Sequence, residues 1–149
     1  MDRAALDVAL TLGLPCGGWC PKGRKAEDGA LAPRYPLHET PSEHYAQRTE
    51  WNVRDSNGTL VLTRGEPVGG TAQTVEVAAA RGKPCLVLDL ATAPAPEAVR
   101  AWAAAQAVKV LNIAGPRESK SPGIYAQAAA FLRQALADFR CAPGQNPVK

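Results

Sequence analysis

Two hydrophobic periods alternate along this chain. Residues 59–63 (Thr-Leu-Val-Leu-Thr) form a short apolar run with β-branched members, the pattern of a buried strand. Residues 64–71 carry Gly65, Pro67, Gly69 and Gly70, which predicts a turn where backbone can come close to another group. Residues 72–81 are mostly helix formers, with Thr71 as the candidate cap. Gly82, Lys83 and Pro84 stop that helix, and residues 85–89 (Cys-Leu-Val-Leu-Asp) read as the next strand. Strand, glycine turn, helix and strand make a βαβ unit. Free backbone N–H groups and the helix dipole at such a turn favour an anion, phosphate above all. The plainer reading is a tight connection; the spacing lacks a full dinucleotide or ATP loop and leaves both open.

The flanks extend the same pattern. Residues 2–12 put Leu6, Ala9 and Leu10 on one helical face, and Gly13 ends that helix. Residues 14–20 suit a short strand. A loop over 21–29 follows, in which Lys22, Arg24 and Lys25 precede Glu27 and Asp28. It reads either as a solvated loop or as a basic clamp for a phosphorylated ligand. Residues 32–41 hold three prolines and are expected to be irregular. Ser42 is the candidate cap of a helix on which Tyr45, Arg48, Asn52 and Asp55 share one stripe. Beyond residue 89, 97–107 read as a helix with Val99, Trp102 and Ala103 inward, and 108–113 as a strand. Residues 114–123 form a second glycine-containing, charged turn. Ile124, Ala128, Phe131, Leu132, Ala135 and Phe139 then trace a core-facing helical stripe.

These elements predict a single α/β domain over 1–140, a Rossmann-like parallel sheet flanked by helices, with a polar tail over 141–149. Ligands of such sheets bind outside the carboxyl ends of the strands. Segments 64–71, 89–92 and 112–120 are placed to reach that edge, and the 22–28 loop is a fourth candidate.

Composition narrows the function classes. A chain of 149 residues, 46% hydrophobic and 21% charged, suits one soluble domain. The net charge of +3 and the few aromatic residues give no argument for a nucleic-acid surface. No apolar run is long enough for a membrane helix, and no signal-peptide shape is present, so the cytoplasm is the expected compartment. Cysteines 16, 20, 85 and 141 with His38 and His44 lack zinc-ligand spacing, so no metal site is expected. Cys85 reads as core.

Longer stretches carry a resemblance. Cys16-Gly-Gly-Trp-Cys-Pro-Lys-Gly-Arg-Lys-Ala-Glu-Asp-Gly29 resembles the GGWCPKGRxAEDG signature of the circularly permuted YpsA-type SLOG family. Molybdenum-cofactor carriage has been ascribed to that family. Residues 45–55, 69–76 and 111–119, with Pro122-Gly-Ile-Tyr125, resemble it too, so nearly the whole chain is covered. The resemblance implies a Rossmann-like fold that binds a nucleotide or similar phosphorylated ligand. It also implies distant kinship with phosphoribohydrolases called lysine-decarboxylase-like, whose loop reads PGGxGTxxE. Here residues 68–76 keep both glycines and Glu76, while Val68, Ala72 and Gln73 replace the proline, third glycine and threonine. Relatives carry an SGGQTGVDR segment before the first helix. Only Asp2-Arg3 stand here, with Met1 in the valine position, so the chain is expected to lack a native first strand and one glycine turn.

The leading expectation is a binding protein for a nucleotide or nucleotide-like cofactor, the molybdenum cofactor included. Gly69, Gly70 and Thr71 would cradle phosphate, Lys22 and Arg24 would supply charge-assisted hydrogen bonds, and Arg3, Asn112 and Arg117 would complete the pocket. The alternative is cleavage of the N-glycosidic bond of a nucleoside monophosphate, with Glu76 as the carboxylate and Arg48 or Arg117 as the positioning cation. Sheet edges and alanine-rich helix faces would allow self-association. The sequence decides neither the ligand, nor catalysis, nor the oligomeric state.

Overall fold

The computed structural model describes residues 1–26, 29–137 and 139. The central sheet has three parallel strands in the order β6-β5-β7: β5 is Gly58–Thr63, β6 Cys85–Asp89 and β7 Leu111–Ala114. Thr59 to Thr63 pair in register with Cys85 to Asp89, and Gly58 to Val61 with Leu111 to Ala114. β5 is buried at every position, as a strand covered on both faces must be.

Alternation along β5 divides the two faces. Leu60 and Leu62 join Leu111 and Ile113 in a core closed by α1 (Asp2–Thr11), α4 (Glu97–Ala105) and α5 (Ile124–Ala135). Thr59, Val61 and Thr63 point the other way, toward α3 (Gly69–Ala80), which packs beside α2 (Tyr45–Arg54). The strand order explains this split. The chain steps from β5 outward to β6 and then back past β5 to β7, so two right-handed crossovers must place α3 and α4 on opposite faces.

A small β layer lies beside α2. β1 (Gly18–Cys20) pairs in parallel with β4 (Leu37–Glu39), and β2 (Lys25–Ala26) pairs antiparallel with β3 (Gly29–Ala30). The proline-rich stretch expected to be irregular therefore contains a strand. Its prolines, residues 33, 36 and 41, fall outside Leu37–Glu39 and cost it no ladder donor.

Several local expectations shift. α3 begins at Gly69 with Val68 as N-cap, so Thr71 lies inside the first turn and does not cap it. α2 begins at Tyr45 with His44 as N-cap; the Ser42 hydroxyl instead accepts from the His44 N–H at 3.0 Å. On α1 the inward face is Ala4, Ala5, Leu6, Val8 and Ala9, while Leu10 is 43% exposed. The alanines let α1 lie close against α5. Cys85 is half-buried, whereas Cys141 and the 141–149 tail lie outside the described residues. No described helix is long and apolar enough to cross a membrane.

Gly115 ends β7 where the backbones of β5 and β7 crowd together. A Cβ there would meet the Leu62 carbonyl oxygen at 2.3 Å. Gly115→Ala should therefore lose on the order of 1–3 kcal/mol of stability, read from denaturant melts, because a backbone oxygen cannot rotate away.

Candidate functional site

α2 and α3 both run antiparallel to β5. Their C-terminal ends meet at the amino edge of the sheet, where the Lys83 ammonium donates to the carbonyls of Val53 at 3.0 Å and Ser56 at 2.7 Å, and to that of Arg54. Burial pushes the Lys83 ammonium below its ordinary pKa, with the Arg81 charge adding to the shift. Their N-terminal ends consequently stand together at the carboxyl edge, beside the loop that follows β7.

Tyr45 opens α2, and three cations gather over its ring. Arg117 Cζ lies 4.4 Å from the ring centroid, and Lys25 Nζ and Arg48 Cζ each lie 5.3 Å from it. They arrive from the β2–β3 hairpin, from α2 itself and from the post-β7 loop. Arg48 also donates to the Asp2 carboxylate at the start of α1. Its Nε is buried and has no hydrogen-bond partner among the described residues. Burial would raise the Asp2 carboxyl, yet Arg48, the Met1 ammonium and Arg117 together hold it below the ordinary value. The guanidinium carbons of Arg48 and Arg117 are at most about 10 Å apart, so their mutual repulsion costs at least about 1.7 kcal/mol at an effective dielectric near 20. A cation–π contact contributes about 0.5–1 kcal/mol at an exposed ring and does not remove that repulsion.

The loop carrying Arg117 is clasped at two points. The Glu118 carboxylate accepts the N–H groups of Gly123 at 2.6 Å and Tyr125 at 2.9 Å, closing the N-terminus of α5. Those two hydrogen bonds, Tyr125 first, hold its carboxyl below the ordinary value. Arg64, just past β5, donates to the Pro122 carbonyl at 2.5 Å and to Gln127 Oε1 at 2.6 Å.

The glycine turn is open. Gly69 has φ +56°, a left-handed conformation that favours glycine, and no side chain caps α3. The N–H groups of Thr71 and Ala72 go back to the Val68 carbonyl, while those of Gly69 and Gly70 precede any intrahelical acceptor. Nothing lies within 4 Å of a Cβ built at either glycine.

The other residues singled out in the sequence are disposed differently. Arg24 Nη2 donates to the carbonyls of Ala32 at 2.9 Å and Tyr35 at 2.8 Å, Nε to Leu31 and Nη1 to Leu37, so this guanidinium is committed to the loop beneath it. Lys22 is exposed. Arg3 sits half-buried in the first turn of α1. Asn112 is buried within the sheet and donates to Thr59 Oγ1 at 3.3 Å. Glu76 is exposed on α3, about 10 Å along the axis from Gly69. Glu27 and Asp28 lie outside the described residues.

The α2 stripe is not a solvent face. Asn52 accepts from the Trp19 N–H at 2.9 Å and donates to the Trp19 carbonyl at 3.1 Å, and Asp55 accepts from Trp19 Nε1 at 2.8 Å. The stripe clamps β1 at one end and presents Tyr45 and Arg48 at the other. Of the basic loop's candidate clamp, Lys25 is the member that reaches this cluster. Tyr45 and Asp2 were not singled out as site residues, although the i, i+3 spacing of Tyr45 and Arg48 was visible.

A separate cleft of about 260 Å³ near the C-terminal end of α2 is lined by Cys16, Gly17, Gly18, Trp19, Pro36, His38 and Asp55. Its one carboxylate already bonds Trp19 and Arg54. Among the described residues, no group of acidic, histidine and cysteine side chains could hold a metal ion.

The model of the circularly permutated YpsA SLOG family matches residues 1–136. The chain belongs to that family. Among solved structures, it is similar to the crystal structure of a "Putative molybdenum carrier protein" from Syntrophus aciditrophicus SB. The two are 45% identical with a TM-score of 0.87, over 91% of this chain and 88% of the other. No curated protein matches. This SLOG domain is thus α/β and Rossmann-like, as its sequence implies.

The carboxyls of Asp2 and Glu118 are depressed in the folded state. The stability they contribute is complete above their unfolded values and is lost as pH falls through the depressed ones. For Glu118 the loss starts below the ordinary value of 4.5. Glu118→Gln should therefore melt lower than wild type at pH 7, and the gap should close as both are taken below that value.

Proposed function

We propose that this protein binds and carries a small phosphorylated anion at the carboxyl edge of its sheet, with the molybdenum cofactor or a nucleotide as its ligand. The observation that carries this reading is the convergence of Arg48, Arg117 and Lys25 on Tyr45, with the Arg48 Nε left unpaired, beside the uncapped N-terminus of α3. The family and the molybdenum-carrier description of the similar crystal structure point the same way. Gly69 and Gly70 would offer backbone N–H groups, and the three cations would offer charge. Such a carrier would work in the cytoplasm.

Glycosidic cleavage has less support. It needs a carboxylate beside the sugar, and Glu76 stands roughly two turns down α3. The carboxylate at the cluster, Asp2, is ion-paired with Arg48. Nucleoside monophosphates incubated with the protein should be recovered intact; release of free base would favour the hydrolase.

Gly70 offers a clean test of the turn. Its surroundings are open and its φ is ordinary, so Gly70→Glu fits the fold, and an acid in the first turn strengthens a helix by about 0.3–1 kcal/mol. The same charge blocks an anion. The variant should melt no lower than wild type yet lose binding of the molybdenum cofactor and of nucleotides, measured by native mass spectrometry. Undiminished binding would remove the turn from the site.

A further inference from the structure

The cluster at Tyr45 carries more information than its sign. Its members come from separate elements: Asp2 from α1, Lys25 from the hairpin, Arg48 from α2 and Arg117 from the post-β7 loop. Among the described residues at the ring, three side-chain cations face one carboxylate, and the Met1 ammonium adds to them, a surplus of at least two positive charges. The one carboxylate occupies Arg48 Nη1 and leaves the buried Nε of the same guanidinium without an acceptor. A buried donor without a partner costs about as much as a lost hydrogen bond, and a charged one more. Among the described residues the missing partner is thus an acceptor that reaches Arg48 Nε, and the surplus of cations favours one with more than one negative charge.

We propose that the residues around Tyr45 form a seat for a dianionic tetrahedral oxyanion, taking a phosphate monoester in preference to a phosphodiester. The proposal rests on the carrier reading above and assigns its ligand class. Arg48 Nε donates to one oxygen, and Arg117 and Lys25 flank the others. Asp2 holds Arg48 in place without filling the seat. A monoester exposes three terminal oxygens and carries close to two charges at pH 7, whereas a diester has one charge and two such oxygens.

Ligand protonation gives the distinguishing readout. A monoester gains a proton with a pKa of about 6, so its affinity should fall on the order of tenfold between pH 7 and pH 5. The groups facing the seat are the Met1 ammonium, Asp2, Lys25, Arg48 and Arg117. The exposed His44 adjoins Tyr45, and an imidazole carries no negative charge in either form, so it cannot repel the anion.

The experiment is calorimetric titration of the full chain with a nucleoside 5′-monophosphate, its methyl diester, inorganic phosphate and molybdate at pH 7 and 5. The monoester should bind with the stated pH dependence, and the diester weakly at both values. Arg117→Gln and Lys25→Gln alter exposed side chains and should each weaken the monoester on the order of tenfold. Arg48→Lys keeps the charge and removes the Nε donor, and should weaken it similarly while melting near wild type. Inorganic phosphate or molybdate binding as tightly as the monoester would support the seat with a free oxyanion as its occupant. Equal affinity for diester and monoester would overturn the proposal, as would indifference to Arg117→Gln and Arg48→Lys. If Gly70→Glu abolishes binding while these variants do not, the seat is wrong and the carrier reading stands on the glycine turn alone. If no phosphorylated compound or oxyanion binds wild type, both fall.

Discussion

β5 is hydrogen-bonded along both edges and buried on both faces. A parallel strand so enclosed needs a helix on each side and a crossover at each step, and the rest of the molecule follows from meeting those needs. α2 enters β5 and α3 leaves it, so their N-termini can only meet at its carboxyl end. The positive ends of two helices, a glycine turn and the loop after β7 are thereby brought to one rim. No single side chain imposes that convergence; it is a consequence of feeding one central strand from both ends.

The rim is electrostatically unbalanced. Elsewhere several cations are matched: Arg81 pairs with Glu50, Arg54 with Asp55, and Arg24 is taken up by carbonyls. At Tyr45 the cations outnumber the carboxylate, and a buried guanidinium nitrogen goes unused. Folding alone gives no reason to keep repelling charges together. The anion proposed above would supply one, because its gain in Coulomb energy and hydrogen bonds is largest where the protein has already gathered and partly desolvated the donors.

The Trp-Cys-Pro-Lys-Gly-Arg segment acts chiefly as scaffold. Trp19 is held at its N–H, its carbonyl and its indole by Asn52 and Asp55, and Arg24 knots the loop from Leu31 to Leu37. Arg24 itself has φ 53°, so the loop is strained as well as stitched. Its neighbour Lys25 is thereby delivered to the Tyr45 ring. Tyr35, the largest wholly buried side chain, ties the same loop to α1 through Asp7 at 2.8 Å.

The strands of the central sheet, their alternation with helices, the glycine turn and the family were all legible in the chain. Each rests on local periodicity, on residues with restricted backbones, or on an uninterrupted motif. Helix starts were misread because Ser42 and Thr71 looked like caps, while the chain turned into helix at neighbouring residues under tertiary packing. The prolines around Leu37–Glu39 hid a strand that exists because β1 lies beside it. The stripe on α2 was legible as spacing, but not its partners, because polarity reports what a side chain can bond, not what stands opposite. Arg24 and Arg117 were indistinguishable as charges in sequence, yet one is satisfied by carbonyls and the other stands over an aromatic ring. Sequence therefore determined which elements form and what chemistry they carry. Only the tertiary structure decided which charges meet, because that depends on contacts between α1, α2, the hairpin and the post-β7 loop, elements tens of residues apart.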